Sequence, residues 1–526
     1  MVSKVRLLYR TVRHLKGIQV FYQLYYRLKR VGNLTQFDEK VEVPHNKLPI
    51  KFALHLPMVG KVTDNTFTFL NLTKAFDKSI DWNFQEYGKL WNYNLQYFDY
   101  LHQSDLSEKQ KEDQLLDIGN WLRDGRLSLE PYPVSLRIMN GIRYCSRLKV
   151  NNRQILKDLY AQLNYLSQHL EYHILGNHLL ENAFALMMGG YAFSEPRWIS
   201  KAKSILKVQL NEQILKDGAH FELSPMYHQI ILYRMLELSD WYGQSEGTDS
   251  SFLSFIREKT SAMLSWLKAM TFTNGDIPHF NDSADGITFT SAVLFDYAKK
   301  LGYDQIANVK LSDSGYRKFS NSNYELVVDA GKVGPEYQPG HAHADALSFV
   351  LYYNEKPVVV DTGTSTYQIG SRRAIERSTP AHNTVVIENT NQSEVWGGFR
   401  VGQRANVKIN LESKDELKTS HDGYLKNYNV IHARDFSFSE NRFSIKDHVD
   451  RHKGTALIHF HPTCNIDIED TDRIIVNENL HIVFDGAETL KLENYEYVVG
   501  YNKYLAGKVA LIEFVDELNT HFEFKS

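Results

Sequence analysis

The sequence predicts two structural halves, a helical array followed by an antiparallel β domain. Between about residues 80 and 302, apolar residues recur at the spacing of successive amphipathic helices, with short polar or glycine-containing breaks between them. Beyond about residue 320 the pattern changes to short β-rich runs separated by turn residues. Many strands without intervening helices favour an antiparallel sandwich over a doubly wound parallel sheet.

These patterns divide the chain into a basic N-terminal extension (1–50), a helical domain (51–310) and a β domain (320–526). The first thirty residues contain eight Lys or Arg and no acid, with apolar residues between them. Such a stretch either contacts anionic lipid or a partner, or packs as a solvated first helix on the main domain. No signal-peptide pattern and no run of about 20 apolar residues is visible. We therefore expect a cytoplasmic or membrane-peripheral protein of a bacterium.

Composition excludes several classes of protein. The 526 residues carry 60 basic and 63 acidic side chains, a net charge of −3, which lacks the basic excess typical of nucleic-acid binders. We expect no nucleic-acid partner. The chain has 21 histidines but only two cysteines, Cys145 and Cys464, so a disulfide scaffold and a cysteine-rich zinc module are excluded. A transition-metal site must use histidine and carboxylate.

Two polar segments stand out in the helical half. Asn177 and His178 lie at the start of a predicted helix, where an amide and an imidazole can both meet a ligand carboxylate. Pro225 predicts the first turn of a later helix, which puts Tyr227 and His228 near its exposed N-terminal end. The helix dipole there would favour a tyrosinate. Taken singly, each of these residues could instead be a hydrogen-bonding group at the edge of the core.

The densest chemical signal is a group of histidines in the β half. In an extended strand, His341 and His343 point to one face, and a hairpin that turns at 354–356 carries Asp361 back to the same end of the sheet. A further histidine, His382, follows. Two imidazoles and one carboxylate are a common first shell for zinc, so His343, Asp361 and His382 are candidate ligands. The alternative is that Asp361 and His382 are merely hydrogen-bonded at strand ends.

Other motifs are weaker. Residues 281–286 resemble a calcium loop, but position 292, which needs a bidentate Glu, is Ala. We expect this segment to be a turn that positions polar groups near a cleft. The sequence has no Walker A, G-x-S-x-G or HExxH motif, which removes the commonest nucleotide-binding, serine-hydrolase and zincin interpretations.

Together these segments resemble the heparinase II/III family of polysaccharide lyases. The resemblance rests on Asn177-His178, on 224–228, on 341–345, and on Asp361 followed by 377–384, and it is strongest from about 335 to 405. It implies an incomplete (α/α) toroid followed by an antiparallel β-sandwich, with the active site between them. It also implies β-elimination on a uronic-acid-containing glycan. For an enzyme of this kind, a periplasmic or secreted location is the alternative to a cytoplasmic or membrane-peripheral one.

The resemblance implies roles for individual residues. Asn177, with His178, would neutralise the substrate carboxylate while the C5 proton is removed. Tyr227 and His341 would act as the base and the acid, and which does which depends on whether the elimination is syn or anti. Zn²⁺ at His343, Asp361 and His382 would organise the site rather than act as a Lewis acid.

Further residues are expected to hold an acidic polysaccharide or oligosaccharide. Guanidinium groups pair with carboxylate or sulfate in bidentate fashion, and the candidates are Arg137, Arg372, Arg373 and Arg400. Glu222 is a further candidate for contact with the glycan. Tyr93, in the aromatic segment 91–98, would be a stacking platform or else part of the first toroid helix core. The missing secretion signal favours a bacterial exopolysaccharide over heparan sulfate as the substrate.

Two other functions stay open at this stage. An inverting glycoside hydrolase on an (α/α) toroid would use two separated carboxylates, such as Glu222 and Asp276. A non-catalytic glycan-binding protein of an exopolysaccharide system would use the same cleft without turnover. The oligomeric state does not follow from the sequence.

Overall fold

The computed structural model describes residues 2–29, 32–38, 48, 50–54, 56, 61–150 and 152–525. The predicted extension over 1–50 therefore lies partly outside the described residues. As predicted, a helical region is followed by a large antiparallel β domain. No helix within the described ranges has both the length and the apolar character needed to cross a bilayer.

The N-terminal extension forms two helices, α1 (Val2–Val12) and α2 (Gly17–Leu28). After it comes a small antiparallel sheet that the sequence pattern did not predict, formed by β1 (Lys61–Thr63), β2 (Thr66–Phe69) and β3 (Leu72–Ala75). Its β2–β3 turn reaches the β domain, because Asn71 Nδ2 donates to Tyr501 O (2.8 Å) and Asn502 Nδ2 donates to Leu70 O (3.0 Å). This sheet forms one wall of the cleft between the two halves.

The toroid consists of helices whose starts follow from their sequences. Ser107, Asn152, Ser224 and Asp249 accept hydrogen bonds from the backbone N–H groups of the first turns that follow them. The helices are α3 (Lys89–Tyr97), α4 (Glu108–Arg123), α5 (Pro131–Leu148), α6 (Arg153–Gln168), α7 (Gly176–Ala192), α8 (Pro196–Gln213), α9 (Pro225–Gly243), α10 (Ser250–Met270) and α11 (Ser291–Lys300). Helices α5, α7 and α9 are buried on most sides and form the inner layer that faces the cleft.

The β domain contains one large sheet in which every described strand pair is antiparallel. Its central order is β15-β16-β17-β18-β14-β7-β6-β5-β4, and β8 and the β11-β12-β13 meander also join at β14. The strands of this sheet are β4 (Tyr316–Ser320), β5 (Tyr324–Asp329), β6 (Phe349–Tyr353), β7 (Lys356–Val359), β8 (Val385–Ile387), β11 (Val407–Glu412), β12 (Glu416–His421), β13 (His432–Phe438), β14 (Arg442–Phe460), β15 (Ile466–Asp470), β16 (Arg473–Val476), β17 (Leu480–Gly500) and β18 (Lys503–Phe524). Two short helices, α12 (Ser371–Glu376) and α13 (Leu425–Tyr428), lie between them. A separate antiparallel hairpin is formed by β9 (Val395–Trp396) and β10 (Arg400–Val401).

The β6–β7 hairpin turns at Asn354 and Glu355, as predicted, and both residues have positive φ. The prediction of short strands is wrong for the end of the chain, where β14, β17 and β18 have 19, 21 and 22 residues. These strands continue through bulges, such as the register shift between His448 and Lys453. Polar residues at a bulge break the sequence pattern but leave the strand pairing intact on both sides.

Asp217 joins the two halves. Its Oδ2 accepts hydrogen bonds from the backbone N–H groups of Ser312 and Ser314 (both 3.0 Å) and from the Ser314 hydroxyl (2.6 Å). A buried carboxylate with three donors fixes the start of the β domain against the toroid.

Candidate active site

A cavity of about 180 Å³ lies in the cleft where the inner toroid helices meet the β domain. Most of its lining is apolar or aromatic, as expected for a site that holds sugar rings. The aromatic lining residues are Phe69, Tyr97, Tyr132, Tyr227, Tyr233, Phe289, Tyr367 and Tyr501.

Tyr227 lies in the first turn of α9, as predicted. Pro225 is the first residue of that helix, and the Ser224 side chain accepts a hydrogen bond from the Tyr227 backbone N–H (3.2 Å). The Tyr227 ring stacks on the His341 ring, with 3.8 Å between centroids and 27° between planes. The Tyr367 hydroxyl donates to the Tyr227 hydroxyl (3.2 Å). Two of the predicted catalytic residues, one from each half of the chain, are therefore in direct contact.

The environment of Tyr227 does not favour a tyrosinate, contrary to the prediction from the helix dipole. Burial raises the pKa of Tyr227 well above its ordinary value, the neighbouring Tyr501 raises it further, and the hydrogen bond from Tyr367 only partly offsets this. In the free protein Tyr227 is a neutral hydroxyl that can give up a proton to a developing anion.

Asp282 holds the histidine side of the site together. This fully buried carboxylate accepts hydrogen bonds from His341 Nδ1 (2.8 Å) and His343 Nε2 (2.9 Å), and it pairs with both terminal nitrogens of Arg373. Burial opposes ionisation of Asp282, but Arg373 and the two imidazoles outweigh it and hold its pKa well below the ordinary value. With Nδ1–H directed at Asp282, neutral His341 has its lone pair on Nε2.

Residues 341–345 do not form the predicted strand. Their backbone bonds to loops instead of a neighbouring strand, because His343 N donates to Asn281 Oδ1 (2.9 Å) and Ala344 N donates to Arg377 O (3.0 Å). The predicted turn at 281–286 supplies Asn281 and also Asp282, on which His341 and His343 converge without the alternation of a strand.

Asn177 and His178 lie at the start of α7, as predicted, and each is held by a buried carboxylate. Asn177 Nδ2 donates to both oxygens of Glu222 (2.9 and 3.1 Å), and His178 Nδ1 lies 3.0 Å from Glu171 Oε1. Glu222 Oε2 is 3.6 Å from His341 Nε2, too far for a hydrogen bond. Glu222 thus lies between Asn177 and His341, inside the predicted catalytic group.

The candidate metal ligands come close together, but Asp361 and His382 are paired with each other and His343 is paired with Asp282. Asp361 Oδ2 contacts His382 Nδ1 (2.7 Å), and the His343 and His382 rings are 5.3 Å apart. His343 Nδ1, His382 Nε2 and Asp345 Oδ2 are buried without a hydrogen-bond partner. Within the described part of the chain, no three His, Cys, Asp or Glu side chains are arranged as a metal site. Zinc therefore stays a prediction.

Two of the four predicted substrate-binding arginines are engaged inside the protein. Arg137 is 1% exposed, and its Nε donates to Gln162 Oε1 (2.6 Å). Arg373 is also 1% exposed and belongs to the Asp282 cluster. A substrate cannot reach either guanidinium without displacing these partners, so the structure does not bear out direct contact.

The other two arginines lie nearer the surface. Arg372 pairs with Glu376 and Glu496 (2.6 Å each), so its charge is already neutralised. Arg400 is exposed and lies over the Trp396 ring, 4.8 Å from its centroid. Of the four predicted arginines, Arg400 is the one that is exposed to solvent.

Tyr93 belongs to a row of rings that leads to the catalytic group. The Tyr93, Tyr97 and Tyr132 rings follow one another at 6.1 Å, and Tyr132 lies 4.4 Å from the His178 ring. The Tyr93 hydroxyl donates to Glu130 Oε2 (2.6 Å), which holds the ring in place at a partly exposed position. This arrangement fits a stacking platform better than a core position.

The carboxylate pair that a hydrolase would need is not assembled. Glu222 is buried against Asn177, whereas Asp276 is exposed, accepts a hydrogen bond from Tyr352 (3.1 Å) and lines a different pocket. The two residues do not face a common cavity, which disfavours the inverting mechanism.

Several residues of the site were not found from the sequence. Asp282, Tyr367 and Tyr501 come from loops far apart in the chain, and Arg234 lines the cavity while paired with Glu181 (3.0 Å). For Asp282 the one available signal was its place in the calcium-like turn. No periodicity or motif marks the others.

His228 gives the fold a dependence on pH. Contrary to the prediction it is buried, with Nδ1 accepting from His220 N (3.1 Å) and Nε2 facing Met263 O (3.0 Å). Burial lowers the pKa of His228 to about 3. Its folded pKa lies below the unfolded value of about 6.5, so its contribution to stability is complete above about pH 6.5 and is lost as the pH falls toward 3.

The free energy of unfolding of the wild type should fall between about pH 6.5 and about pH 4. We expect His228→Asn to reduce the slope of this fall by up to roughly 1 kcal/mol per pH unit, because the variant lacks one proton-binding group. Urea unfolding at several pH values measures this slope. The exposed His448→Asn is the matched control and should retain the wild-type slope. An unchanged slope in His228→Asn would contradict the assignment.

Two models of the heparinase II/III family match this chain. The model described as Heparinase II/III N-terminus matches residues 150–301, and the Heparinase II/III-like, C-terminal model matches residues 307–523. The two ranges together cover more than half of the chain. This chain belongs to the heparinase II/III family. The first matched range contains Tyr227 and the second contains His341.

Two proteins similar to this chain are named heparin-sulfate lyase. The one from Bacteroides stercoris is 24% identical over 438 residues, which are 74% of this chain and 62% of that protein. The one from Pedobacter heparinus is 25% identical over 337 residues, 58% of this chain and 49% of that protein. The chain thus matches less than two thirds of the length of each.

Solved structures of heparinase III and of heparan sulfate lyase share the fold. A crystal structure of heparinase III aligns with a TM-score of 0.67 at 18% identity and covers 86% of this chain and 80% of that chain. A heparan sulfate lyase HepC mutant from Pedobacter heparinus aligns with a TM-score of 0.60 at 19% identity, covering 97% and 88%. The predicted toroid and β-sandwich architecture is confirmed.

Proposed function

We propose that this chain is a polysaccharide lyase that cleaves a uronic-acid-containing acidic glycan by β-elimination. The contact between Tyr227 and His341 carries the proposal, because it brings two proton-transfer groups together, and Tyr227 lines the aromatic cavity. Asn177 lies next to them through Glu222. The relatives named heparin-sulfate lyase support the same chemistry.

The first chemical requirement is to stabilise charge on the substrate carboxylate as the C5 proton leaves. The Asn177 amide nitrogen carries two hydrogens, so it can keep one bond to Glu222 and direct the other to that carboxylate. Glu222 itself stays ionised. Its burial opposes this, but His220, His341 and Asn177 outweigh burial and lower its pKa. We assign Glu222 the role of positioning Asn177 instead of contacting the glycan.

The second requirement is a base for the C5 proton and an acid for the departing O4. The Asp282 contact leaves the His341 lone pair on Nε2, whereas burial keeps Tyr227 protonated. We therefore propose His341 as the base and Tyr227 as the acid. His341 Nε2 takes the C5 proton, and the electron pair of the C5–H bond forms the C4–C5 double bond. The C4–O4 bond breaks as the Tyr227 hydroxyl gives its proton to O4.

The charge of the cavity favours an unsulfated glycan. Among its described lining residues the one cation is Arg234, which pairs with Glu181 (3.0 Å) and Glu237 (3.2 Å). A sulfate group would enter without an unpaired guanidinium or ammonium to receive it. We propose an unsulfated uronate polymer, such as a bacterial exopolysaccharide, as the substrate.

Assays on a panel of uronate polymers test both the lyase activity and the preference for unsulfated polymers. We expect ultraviolet absorbance from an unsaturated uronate to appear with unsulfated polymers and to be at least about tenfold slower with sulfated polymers of the same backbone. New saturated reducing ends would identify a hydrolase instead. Retention without turnover would identify a binding protein. Faster cleavage of the sulfated polymers would contradict the proposed preference for unsulfated glycans but would leave the proposed lyase activity intact.

We also propose Zn²⁺ as an organiser of the loop that carries His341. The buried ring nitrogens His343 Nδ1 and His382 Nε2, both without partners, support this, and Asp361 would complete the set. When bound, the ion would fix these side chains without entering the proton transfers.

Metal analysis of the purified protein tests the zinc proposal. We expect about one zinc per chain, and His382→Ala should remove it and lower the melting temperature by several degrees. His459→Ala removes a buried histidine outside the proposed set and is the matched control, which should retain zinc. Metal-free protein whose melting temperature does not respond to added zinc would contradict the proposal.

A further inference from the structure

The two N-terminal helices turn their apolar sides away from the protein. The outward side of α1 carries apolar residues at positions 5, 8, 9 and 12, and that of α2 carries them at 18, 21, 24, 25 and 28. Val5 is 67% exposed, Phe21 61% and Leu28 85%. We call residues 2–29 the N-terminal arm. Each of its helices has an apolar stripe at helical spacing on the solvent side.

This exposure is concentrated in the arm. Of the 23 large apolar side chains that are exposed in the described residues, 11 lie between positions 5 and 28. The other 12 are spread between residues 148 and 515. Single exposed apolar residues are normal, but a contiguous group of this kind marks a surface that binds something.

The arm is attached to the protein by hydrogen bonds, ion pairs and the stacking of Tyr22 on Tyr172 (4.8 Å). On α2, Gln19 Nε2 donates to Ile174 O (3.1 Å) and the Tyr26 hydroxyl donates to Leu170 O (2.7 Å). On α1, Thr11 Oγ1 accepts from Trp396 Nε1 (3.1 Å). Ion pairs of Arg10 with Glu394 and of Lys16 with Glu212 add to this attachment. The inward side of the arm is therefore engaged with the protein, whereas the apolar side chains on its outward side are exposed to solvent.

The charge of the arm indicates which kind of surface it fits. Exposed Lys4, Arg6, Arg13 and Arg27 flank the apolar stripes, and the sequence has no Asp or Glu before Asp38. Two such arms facing each other would bring like charges together, which disfavours a second copy as the occupant. Apolar residues flanked by basic ones match the boundary between acyl chains and anionic headgroups.

We propose that the N-terminal arm docks this protein on an anionic lipid bilayer. The apolar stripes enter the headgroup region, and the basic side chains contact lipid phosphates. The arm touches both halves of the molecule next to the cleft. Its α1 lies on the β9–β10 hairpin that carries Arg400, and α2 covers the segment that contains Glu171, the partner of His178. A bilayer that holds the arm therefore holds the cleft at a fixed position near the membrane surface.

Sedimentation of the purified chain with lipid vesicles tests the proposal without reference to enzymatic activity. We expect binding to vesicles of phosphatidylcholine and phosphatidylglycerol (three to one), little binding to phosphatidylcholine alone, and weaker binding in high salt. The triple variant L8S/F21S/L28S should bind the anionic vesicles at least about tenfold more weakly.

The matched control is V208S/I468S/V515S, which removes three exposed apolar side chains outside the arm and should bind as the wild type does. Both variants should keep the wild-type melting temperature, since the replaced side chains face solvent. Failure of the wild type to bind anionic vesicles, or equal binding by L8S/F21S/L28S, would overturn the proposal. So would a wild-type dimer that L8S/F21S/L28S converts to a monomer, in the absence of vesicle binding, because the arm would then join two copies.

Discussion

Tyr227→Phe is expected to lower kcat for glycan cleavage by about a hundredfold to ten-thousandfold, the usual contribution of a positioned acid or base. The variant keeps the ring that stacks on His341 at 3.8 Å and loses only the hydroxyl that would protonate O4. KM should therefore change little. Steady-state kinetics on the polymer that responds best in the panel measures both constants.

The matched control for this variant is Tyr367→Phe. It removes the hydroxyl that donates to Tyr227 and leaves the Tyr227 hydroxyl in place. Its effect should be much smaller, because the proton that is transferred remains. Near-wild-type kcat in Tyr227→Phe, or an equal loss in the two variants, would show that the Tyr227 hydroxyl is not the acid.

Asp282→Asn is expected to destabilise the protein by about 3 to 5 kcal/mol, the range for breaking a buried ion pair. Asp282 is the carboxylate partner of Arg373, whose guanidinium is 1% exposed and would be left charged in the interior. The same change removes the acceptor for His341 Nδ1, so cleavage should also be lost. Urea unfolding and the lyase assay measure the two effects.

Asp285→Asn provides the matched control on the same turn. The Asp285 side chain is 69% exposed and pairs with His279, so its loss should cost less than about 1 kcal/mol and leave cleavage intact. Similar destabilisation by the two substitutions would show that Asp282 does not organise the site.

Much of this site could be predicted from local sequence rules. Ser224 and Pro225 mark the start of α9 and so fix the position of Tyr227, and the polar turn at 354–356 marks the β6–β7 hairpin. Both depend on the chemistry of adjacent residues. Residue spacing also indicates the amphipathic helices of the arm, but it does not say which side of a helix faces solvent. For Tyr93 it leaves both a stacking platform and a core position open.

The other part of the site depends on contacts between distant segments. The strand predicted at 341–345 is absent because Asn281 and Arg377, from other loops, bind its backbone. Arg137 and Arg373 looked like anion-binding residues, yet buried partners use their guanidinium groups. The type of a charged residue indicates which groups its side chain can bind. Only the fold determines whether another group of the protein is already bound to that side chain.

Cleavage in oxygen-18-labelled water, followed by mass spectrometry of the products, tests the central proposal most directly. β-Elimination breaks the C4–O4 bond without adding water, so we predict an unsaturated uronate at one new end. In products reduced with borohydride as soon as they form, which stops exchange of the anomeric oxygen with water, we predict no labelled oxygen at either new end. Incorporation of one labelled oxygen for each bond cleaved would contradict the proposal and identify a hydrolase.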